Sequence, residues 1–448
     1  MANQWIIDVK NGLRNHNLDS FRRSEEVSIY EFPEFLVQLK QSAYFPQMVR
    51  LGPLHHDPTL SQMHTHKLHA TRKMFSLPEE DLEREVIGPI LALVPRVRKC
   101  YRQNIEYQDG YLAWMLTLDA CFILEIFRAL DSKANSDHSF FNRNTIVYTV
   151  YPILTDILML ENQIPLFVLV RILGLQLKID EESAFTKLCK LFDDARIKRL
   201  LYPFKEGAFK EKAPPRFEIV SEQNSKHLLN LFHQQSPFDT KREFIFPSAS
   251  ELHKDTDQRC PVHTKREIII PTASELRRAG IKFTKMEGKL MEISIKKNRF
   301  HLPRIRISSG VETLLHNLMP FEICEADDRC VISRYVHVMY ELIHSERDVS
   351  VLRKAEIIKS YLGSDREVAD LFKTLSKGIT RSYKDPFAKV REDAHKHYHS
   401  KIKVMVAEFT DDHRSSPWIT VSVIAACLIL FFAAVQTIFS LHRKLLTN

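Results

Sequence analysis

Four carboxylic acids lie within or beside the most apolar stretches of the sequence, and they are the side chains best placed to do chemistry. They are Asp119 and Glu125 in the first stretch and Asp156 and Glu161 in the second. Burial raises the pKa of a carboxyl group, and paired carboxylates are the tools of general acid and base catalysis. This pattern fits an uncharacterised hydrolase or transferase that uses buried carboxylates.

The same acids have a structural interpretation, which we favour. Buried polar groups must find hydrogen-bond partners, and Arg128, Arg171, Asn162 and Gln163 lie near the acids in the sequence. No nucleophile or oxyanion-stabilising element stands beside them, as hydrolysis would require. We therefore predict no catalytic residue.

Five histidines crowd one short stretch and raise the question of a metal site: His55, His56, His64, His66 and His69. His66 and His69 are three residues apart and could share a helix face, as zinc ligands do. No Glu or Cys with ligand spacing accompanies them, and an HEXXH motif is absent. We predict no metal site and interpret these histidines as packing or solvent-facing side chains with some pH sensitivity.

Nucleotide and cofactor motifs are also missing from the sequence. It holds no Gly-x-Ser-x-Gly, Walker, dinucleotide-binding or kinase signature. Its seven cysteines are scattered without a Cys-x-x-Cys pair, which is typical of reduced core thiols in a cytosolic protein. The sequence therefore predicts no cofactor, identifies no small-molecule substrate and favours a non-enzymatic module over an enzyme.

The charge balance favours weak contact with anions over a dedicated nucleic-acid site. The chain has 448 residues, a formal charge of +8 and a pI near 9.0. No run of five or six like charges appears, so we predict no nucleic-acid partner. A mild attraction to anionic lipid headgroups is the better interpretation, and basic residues near 282–306 suggest the hypothesis of a lipid-surface sensor.

The elements that would position these side chains are mainly helices. Only 11 glycines but 20 prolines are present, which is typical of helices joined by proline-marked breaks. Two helices, predicted at 111–130 and 148–175, are apolar nearly all round and belong in the centre of the fold. Pro165 is expected to kink the second helix. The structural motif that fixes this bend comprises Glu161, Asn162, Gln163 and Pro165.

The predicted fold class is mainly α, with a helical cytosolic body, a small β hairpin and one C-terminal transmembrane helix. Residues 290–295 and 304–308 alternate between apolar and polar, and we expect them to pair as the hairpin across KKNRFHLP. The predicted segments are a polar N-terminal segment at 1–28, an N-terminal helical region at 29–203, a linker or loop region at 204–285, the hairpin and C-terminal helical region at 286–410, the membrane helix at 417–441 and a basic tail at 442–448.

An internal repeat lies in the linker region. TKREFIFPSASEL occupies 240–252 and TKREIIIPTASEL occupies 264–276, an offset of 264 − 240 = 24 residues. Each copy ends in a capping box, Thr272 with Glu275 in the second copy, which predicts a helical turn. Two copies are too few for a solenoid, so we interpret the repeat as a local duplication in a tolerant loop.

The C-terminal sequence predicts a membrane anchor. From Trp418 to Leu441 it contains no Asp, Glu, Lys or Arg. As a helix this run spans about 36 Å, against about 30 Å for a hydrocarbon core. Trp418 stands where an aromatic belt residue is expected, and a short basic tail follows Leu441. The N-terminal sequence lacks an apolar signal core, so we expect a single-pass tail anchor with the bulk of the chain cytosolic.

Several sequence blocks resemble a known plant family. RLGPLHH, MLTLDACFILEIFR, DILMLENQIPLFVL, ASELRRAGIKF, LLHNLMPFE and the closing PWITVSVIAACLILFFAAVQTIFSL occur in its order. The family is named only as domain of unknown function 247, or uncharacterised protein family 0481. The resemblance covers about Ile29 to Leu441, and ENQIP is its most specific motif.

This resemblance implies a membrane-anchored protein with no established enzymatic activity and an unknown protein partner. Some family relatives are implicated as pollen-side components of grass self-incompatibility, which points to recognition or signalling. Family members usually show one ASEL-type block, so the repeat at 240–252 and 264–276 is a departure from the family pattern.

Overall fold

A computed structural model describes most of the chain, and the fold is mainly helical with a small sheet. The described residues are Ile6, Lys10, 27–56, 61–130, 143–194, 226–234, 268–286, 290–325, 330–377, 386–400 and 417–445. The chain divides into two compact units, of which the first comprises Met1–Phe246, Arg306–Arg334 and Lys377–Ile379, and the second Pro247–Ile305, Tyr335–Ser376 and Thr380–Asn448.

Helices build the first unit. They are α1 (Glu34–Leu39), α2 (Ser61–Phe75), α3 (Glu79–Leu82), α4 (Gly88–Leu91), α5 (Val94–Cys100), α6 (Asp109–Leu130), α7 (Arg143–Ile157), α8 (Leu166–Leu177), α9 (Glu181–Asp194) and α10 (Leu228–Gln234). A further helix, α12 (Ser309–Cys324), belongs to the same unit. Helix α6 is its central element, as predicted, because its residues are apolar nearly all round and most of them are buried.

The predicted helix at 148–175 is wrong as one continuous element. Helix α7 ends at Ile157 and α8 begins at Leu166, after Pro165 at its N-cap. The residues between them, 158–165, are buried except Glu161; we call them the ENQIP loop. Proline lacks an N–H and fits the start of a helix better than its middle, so Pro165 begins a helix here and does not kink one.

Part of the predicted linker region folds into the first unit. Helix α10 falls within 204–285. Four of its apolar side chains are fully or almost fully buried: Leu228, Leu229, Leu231 and Phe232. The backbone N–H of Leu166 donates to the carbonyl of Lys226 at 2.9 Å, which ties α10 to the start of α8. The parts of the region that lie outside the described residues include 204–225, the first repeat copy and the start of the second copy.

The second unit contains a three-stranded sheet in place of the predicted hairpin. Its strands are β1 (Lys282–Met286), β2 (Ser294–Lys296) and β3 (Arg299–Pro303), in the order β1-β3-β2. Strands β2 and β3 are antiparallel across a two-residue turn, and β1 runs parallel to β3. The strand β4 (Ile305–Ile307) was predicted to pair with 290–295, but Ile305 bonds instead to the carbonyl of Ile357 at 2.8 Å.

Helices and a short strand complete the described chain. They are α11 (Ala273–Arg278), α13 (Val331–Leu342), α14 (Glu346–Lys354), β5 (Ile358–Ser360), α15 (Asp365–Ser376), α16 (Ala388–Tyr398) and α17 (Pro417–Leu445). The capping box predicted for α11 is confirmed, because the Thr272 hydroxyl accepts from the Glu275 N–H and the Glu275 carboxylate accepts from the Thr272 N–H. The Asp348 carboxylate accepts from the Ser274 N–H at 2.9 Å and so fixes α11 against α14.

Two helices bear on the membrane prediction. Among the described residues, α6 is the one helix long and apolar enough to cross a membrane. However, 78% of its most apolar stretch is buried inside the protein. In α17 the described apolar stretch, Ile424–Thr437, is shorter. Apolar side chains along this stretch are exposed, Leu430 by 70%. The membrane span from Trp418 to Leu441 therefore stays a prediction.

Candidate functional site

The buried acids, the ENQIP loop and residues 47–52 meet at one place in the first unit. Residues 47–52, which we call the threaded segment, belong to no helix or strand. Asp156, at the end of α7, accepts three backbone N–H groups from this segment: Gln47 at 3.0 Å, Met48 at 2.6 Å and Val49 at 2.9 Å. Burial raises the pKa of Asp156 to about 6, although the three backbone donors favour the ionised form.

Asn162 holds the next part of the threaded segment. Its side-chain oxygen accepts from the Leu51 N–H at 2.6 Å. Its amide nitrogen donates to the carbonyls of Val49 and Asp156, both at 2.9 Å. Asn162 is fully buried. A side-chain amide is suited to this place because it donates and accepts at once, as a backbone amide of a neighbouring strand would.

Asp119 of α6 binds the end of the threaded segment. One carboxylate oxygen accepts from the Gly52 N–H at 2.7 Å, and the other lies 2.5 Å from the Lys67 ammonium. Gly52 has φ +64, and a Cβ there would lie 2.7 Å from the carbonyl oxygen of Gln163. Only glycine fits this close approach without strain, because both the backbone angle and the space exclude a side chain.

Gln163 closes the ENQIP loop on itself. Its amide nitrogen donates to the carbonyls of Ile157 and Met159, both at 2.6 Å. Its side-chain oxygen accepts from the Leu229 N–H of α10 at 3.3 Å, and its own carbonyl accepts from the Tyr101 hydroxyl at 2.9 Å. The first two bonds satisfy carbonyl groups that have no helical partner where α7 ends, and the other two tie the loop to α10 and to Tyr101.

Glu161 is the one partly exposed acid of the four. Its carboxylate accepts from the Phe32 N–H at 2.5 Å, and its other oxygen lies 3.2 Å from Nε2 of His55. The two side chains are only 15% and 8% exposed. A carboxylate beside an imidazole is a pairing that enzymes use, but here the same carboxylate also fixes the backbone at Phe32.

A second asparagine supports the ENQIP loop from α12. The Asn317 side-chain oxygen accepts from the Leu160 N–H at 2.8 Å, and its amide donates to the carbonyl of Ala43 at 2.9 Å. Beside it, the Tyr44 hydroxyl bonds to Nδ1 of His316 at 3.0 Å. Burial raises the pKa of Tyr44 to about 12 and lowers that of His316 to about 4, so both side chains are neutral.

The cationic partners of the acids differ in part from those predicted. Lysines of α2 pair with the two acids of α6: Lys67 with Asp119 and Lys73 with Glu125. The charge of Glu125 also acts on the Arg128 guanidinium. Arg128 donates to Gln176, and Arg171 lies 3.7 Å from Glu181. The two lysines are six residues apart and so are the two acids, a spacing that is visible in the sequence.

The five histidines are used in different ways. Among the described residues, no group of three or more His, Cys, Asp or Glu side chains is arranged to hold a metal ion. His55 pairs with Glu161, while His56 joins an aromatic surface cluster with Tyr107 and Tyr111. The two tyrosine rings are stacked at 5.4 Å, and Nε2 of His56 lies 2.6 Å from the Tyr111 hydroxyl. Tyr111 is 45% exposed.

Four of the recognised sequence blocks therefore converge on one buried network. RLGPLHH supplies Gly52, MLTLDACFILEIFR supplies Asp119, DILMLENQIPLFVL supplies Asn162, and LLHNLMPFE supplies Asn317. The network binds backbone amides and carbonyls, and its acids are occupied by those amides and by lysines. Its evident chemical capacity is to hold an irregular segment in one conformation.

Comparison with known proteins agrees with these blocks. The model of the plant family DUF247, described as plant protein of unknown function, matches residues 29–432, and the chain belongs to that family.

Two similar proteins come from Arabidopsis thaliana. The chain is 27% identical to the putative UPF0481 protein At3g02645, over 98% of this chain and 94% of that protein. It is 29% identical to the UPF0481 protein At3g47200, over 91% of this chain and 84% of that protein. No solved structure matches the chain.

Proposed function

We propose that this protein is a membrane-anchored, non-enzymatic protein-interaction module with a signalling role and a cytosolic body. The observation that carries the proposal is the surface of α17. Its described apolar side chains are exposed, among them Ile424 by 56%, Leu428 by 51% and Phe432 by 63%. Water disfavours so much exposed apolar area on one helix, whereas the hydrocarbon of a bilayer accommodates it.

The geometry of the acids supports a non-enzymatic role. Asp119, Glu125 and Asp156 are at most 2% exposed. Asp156 accepts three backbone N–H groups, and the other two acids pair with lysines of α2. A catalytic acid or base needs a proton-transfer path to a substrate, and carboxylates held in this way serve the fold.

The aromatic surface cluster supports a protein partner. His56, Tyr107 and Tyr111 combine large ring surfaces with polar tips in a mutually bonded arrangement. Tyrosine is enriched where protein interfaces concentrate their binding energy, because it covers area at little cost in side-chain entropy. The bonds of the ENQIP loop to residues 47–52 lie just before His55 and His56, which supports a fixed position for the cluster.

Membrane anchoring is tested on the full chain. Synthesis in a cell-free system, with microsomes added afterwards, should leave the protein in the pellet after alkaline carbonate extraction. The double variant Leu430→Arg/Phe431→Arg should be released, because each arginine at the centre of a membrane helix costs about 3 kcal/mol. The matched control Leu68→Arg/Leu91→Arg places the same charges on exposed residues of the first unit and should stay in the pellet. Release of the wild-type chain would contradict anchoring.

The enzymatic alternative and the protein contact have separate tests. If the folded Glu161→Gln variant lost turnover that the wild-type chain showed on a hydrolase and transferase substrate panel, the non-enzymatic assignment would be wrong. For the contact, Tyr111→Ser should reduce the set of proteins biotinylated by a proximity-labelling fusion in native membranes. The control Tyr361→Ser removes a tyrosine of similar exposure, 59%, elsewhere. Equal effects of the two variants would contradict the assignment to the aromatic surface cluster.

A further inference from the structure

One face of the three-stranded sheet carries a row of cations. Lys282 of β1, Arg299 of β3 and Lys296 of β2 are partners in the strand register and therefore lie side by side on the same face. All three are exposed. Neighbouring strands are about 4.8 Å apart, so this row places three positive charges within about 10 Å across the sheet.

A fourth cation lies next to this row, in the β2–β3 turn. Lys297 and Asn298 form that two-residue turn, with φ +47 and +60. Asn favours this left-handed region, whereas Lys adopts it at some cost. The Lys282 N–H donates to the Asn298 carbonyl at 2.9 Å, which fixes the start of β1 beside the turn. We call Lys282, Lys296, Lys297 and Arg299 the basic sheet face.

These four cations lack counterions in the part of the chain that the structure describes. Two neighbouring cations differ from them in this respect, because Lys285 and Arg304 both pair with Glu356. Like charges placed side by side on a sheet repel each other, so the row is unfavourable for folding alone. An external anion would offset this repulsion.

The opposite side of the same sheet carries mainly apolar side chains, with the exposed Lys285 as an exception. Phe283 and Phe300 stack at 5.7 Å, and Phe300 is fully buried. The row beside the cations consists of Thr284, His301 and Ser294, which are half-buried and polar. This face of the sheet is therefore polar, with cations along one end.

We propose that the basic sheet face binds the surface of a membrane that contains anionic phospholipid. This inference rests on the proposed function, because α17 would hold the chain at that membrane. A lipid surface fits better than nucleic acid, since the described face has a single aromatic ring, the half-buried His301, and successive bases stack on several exposed rings. The cations lie within one Debye length of each other, about 10 Å at 0.1 M salt, so they act on the anionic surface together.

The test uses the full chain reconstituted in nanodiscs of phosphatidylcholine alone or mixed with phosphatidylserine. A lysine-reactive acetylating reagent is applied, and labelling of each lysine is read by mass spectrometry. In the mixed discs Lys282, Lys296 and Lys297 should be labelled more slowly, by roughly fivefold, the factor that electrostatic attraction contributes per cation near such a surface. The exposed Lys354 of α14 serves as the internal control, and high salt should abolish the difference.

Charge reversal sharpens the test. In Lys296→Glu/Lys297→Glu, Lys282 should be labelled at the same rate in both kinds of disc. The matched variant Lys354→Glu/Lys373→Glu, also on exposed residues of the second unit, should keep the full difference. An unchanged unfolding temperature confirms that each variant is folded.

Three outcomes overturn the inference, and they are distinguishable. Insertion into both discs with equal labelling rates refutes the lipid contact and leaves the anchor standing. Failure to insert into either disc refutes the proposed function and the inference with it. Single-stranded RNA or a polyglutamate peptide can also be added to the neutral discs. If either slows the labelling of Lys282, Lys296 and Lys297 as much as anionic lipid does, or more, the basic sheet face binds another anion.

Discussion

The charged side chains around the ENQIP loop and those on the basic sheet face differ in burial and in their partners. Around the ENQIP loop, Asp119 and Asp156 are buried, and their carboxylates meet a lysine or backbone N–H groups. On the basic sheet face, Lys282, Lys296 and Arg299 are exposed and have no counterion among the described residues. A buried acid whose oxygens all have partners holds the neighbouring backbone in place, whereas clustered cations without partners suit an external ligand. The number of charged residues does not distinguish these roles; their partners do.

The largest expected effect is on the ENQIP loop itself. Asn162→Leu keeps the side-chain volume roughly constant but leaves the Leu51 N–H and the Val49 and Asp156 carbonyls without their partners. Each buried unsatisfied group costs about 1–3 kcal/mol, so we expect a loss of about 4 kcal/mol in the free energy of unfolding. Urea unfolding in detergent measures it. The exposed Asn104→Leu is the control, with a change within about 0.5 kcal/mol.

Gly52→Ala comes next. The new methyl group would lie 2.7 Å from the Gln163 carbonyl oxygen, on a backbone with φ +64. The left-handed conformation and the close contact together should cost about 3 kcal/mol. Gly110→Ala is a matched control, since nothing lies within 4 Å of a Cβ there. If both variants unfolded at the same urea concentration, the close approach of the threaded segment to the ENQIP loop would be refuted.

Asp156 gives a pH-dependent effect of intermediate size. Its pKa is raised to about 6 in the folded protein, above about 3.9 in an unfolded chain. The folded state therefore holds a proton that the unfolded state releases, and its stability contribution is present below pH 4 and lost as pH rises to about 6. At 1.4 kcal/mol per pKa unit the change is about 2–3 kcal/mol.

The measurement compares the wild-type chain with Asp156→Asn from pH 4 to about 7. The variant cannot titrate at this position, so its deficit in unfolding free energy should shrink as pH rises. A deficit that grows with pH would mean that the three N–H donors outweigh burial and that the ionised carboxylate is the stabilising form.

The smallest effect is expected at the basic sheet face. Lys296→Glu/Lys297→Glu places a carboxylate opposite Arg299 in the strand register. Replacing a like-charge pair with an opposite pair should leave stability unchanged or raise it by about 0.5 kcal/mol. The unfolding temperature of the full chain measures this. A large loss of stability would show that these cations are part of the architecture, and the contrast with the ENQIP loop would fail.

The general fold class and one central helix were predictable from the sequence. Helix α6 follows from an apolar run of helical length, and the cap of α11 follows from Thr272 and Glu275. These features depend on residues close together in the chain. Local chemistry is sufficient for them.

The network around the ENQIP loop was only partly predictable, because its contacts are remote in sequence. Asn162 and Gln163 were expected to hydrogen-bond with the buried acids, but their side chains bond to backbone groups. The break at 158–165 was missed because a buried apolar loop has the same composition as a buried helix. Its Leu160 N–H is satisfied by Asn317, a residue 157 positions away. For the same reason the lysine partners of Asp119 and Glu125 were not predicted, since Lys67 and Lys73 belong to another helix.

The sheet was missed in its pairing and in two of its strands. Strand β1 was not predicted, and β3 lies within KKNRFHLP, which was predicted as the connection of the hairpin. The sequence 304–308 does contain the strand β4, but β2 pairs with β3 through the turn Lys297–Asn298. Both turn residues adopt positive φ, which Asn indicates and Lys does not. Alternation of apolar and polar residues reveals a strand's faces but not its neighbour.

Amide hydrogen exchange on the full-length protein tests the central claim most directly. Residues 47–52 belong to no helix or strand, yet we predict that Met48, Val49, Leu51 and Gly52 exchange as slowly as the core of α6, because Asp156, Asn162 and Asp119 bind their N–H groups. Asn162→Leu should release this protection. Exchange of these amides as fast as that of the exposed Asn104 in wild-type protein would contradict the account.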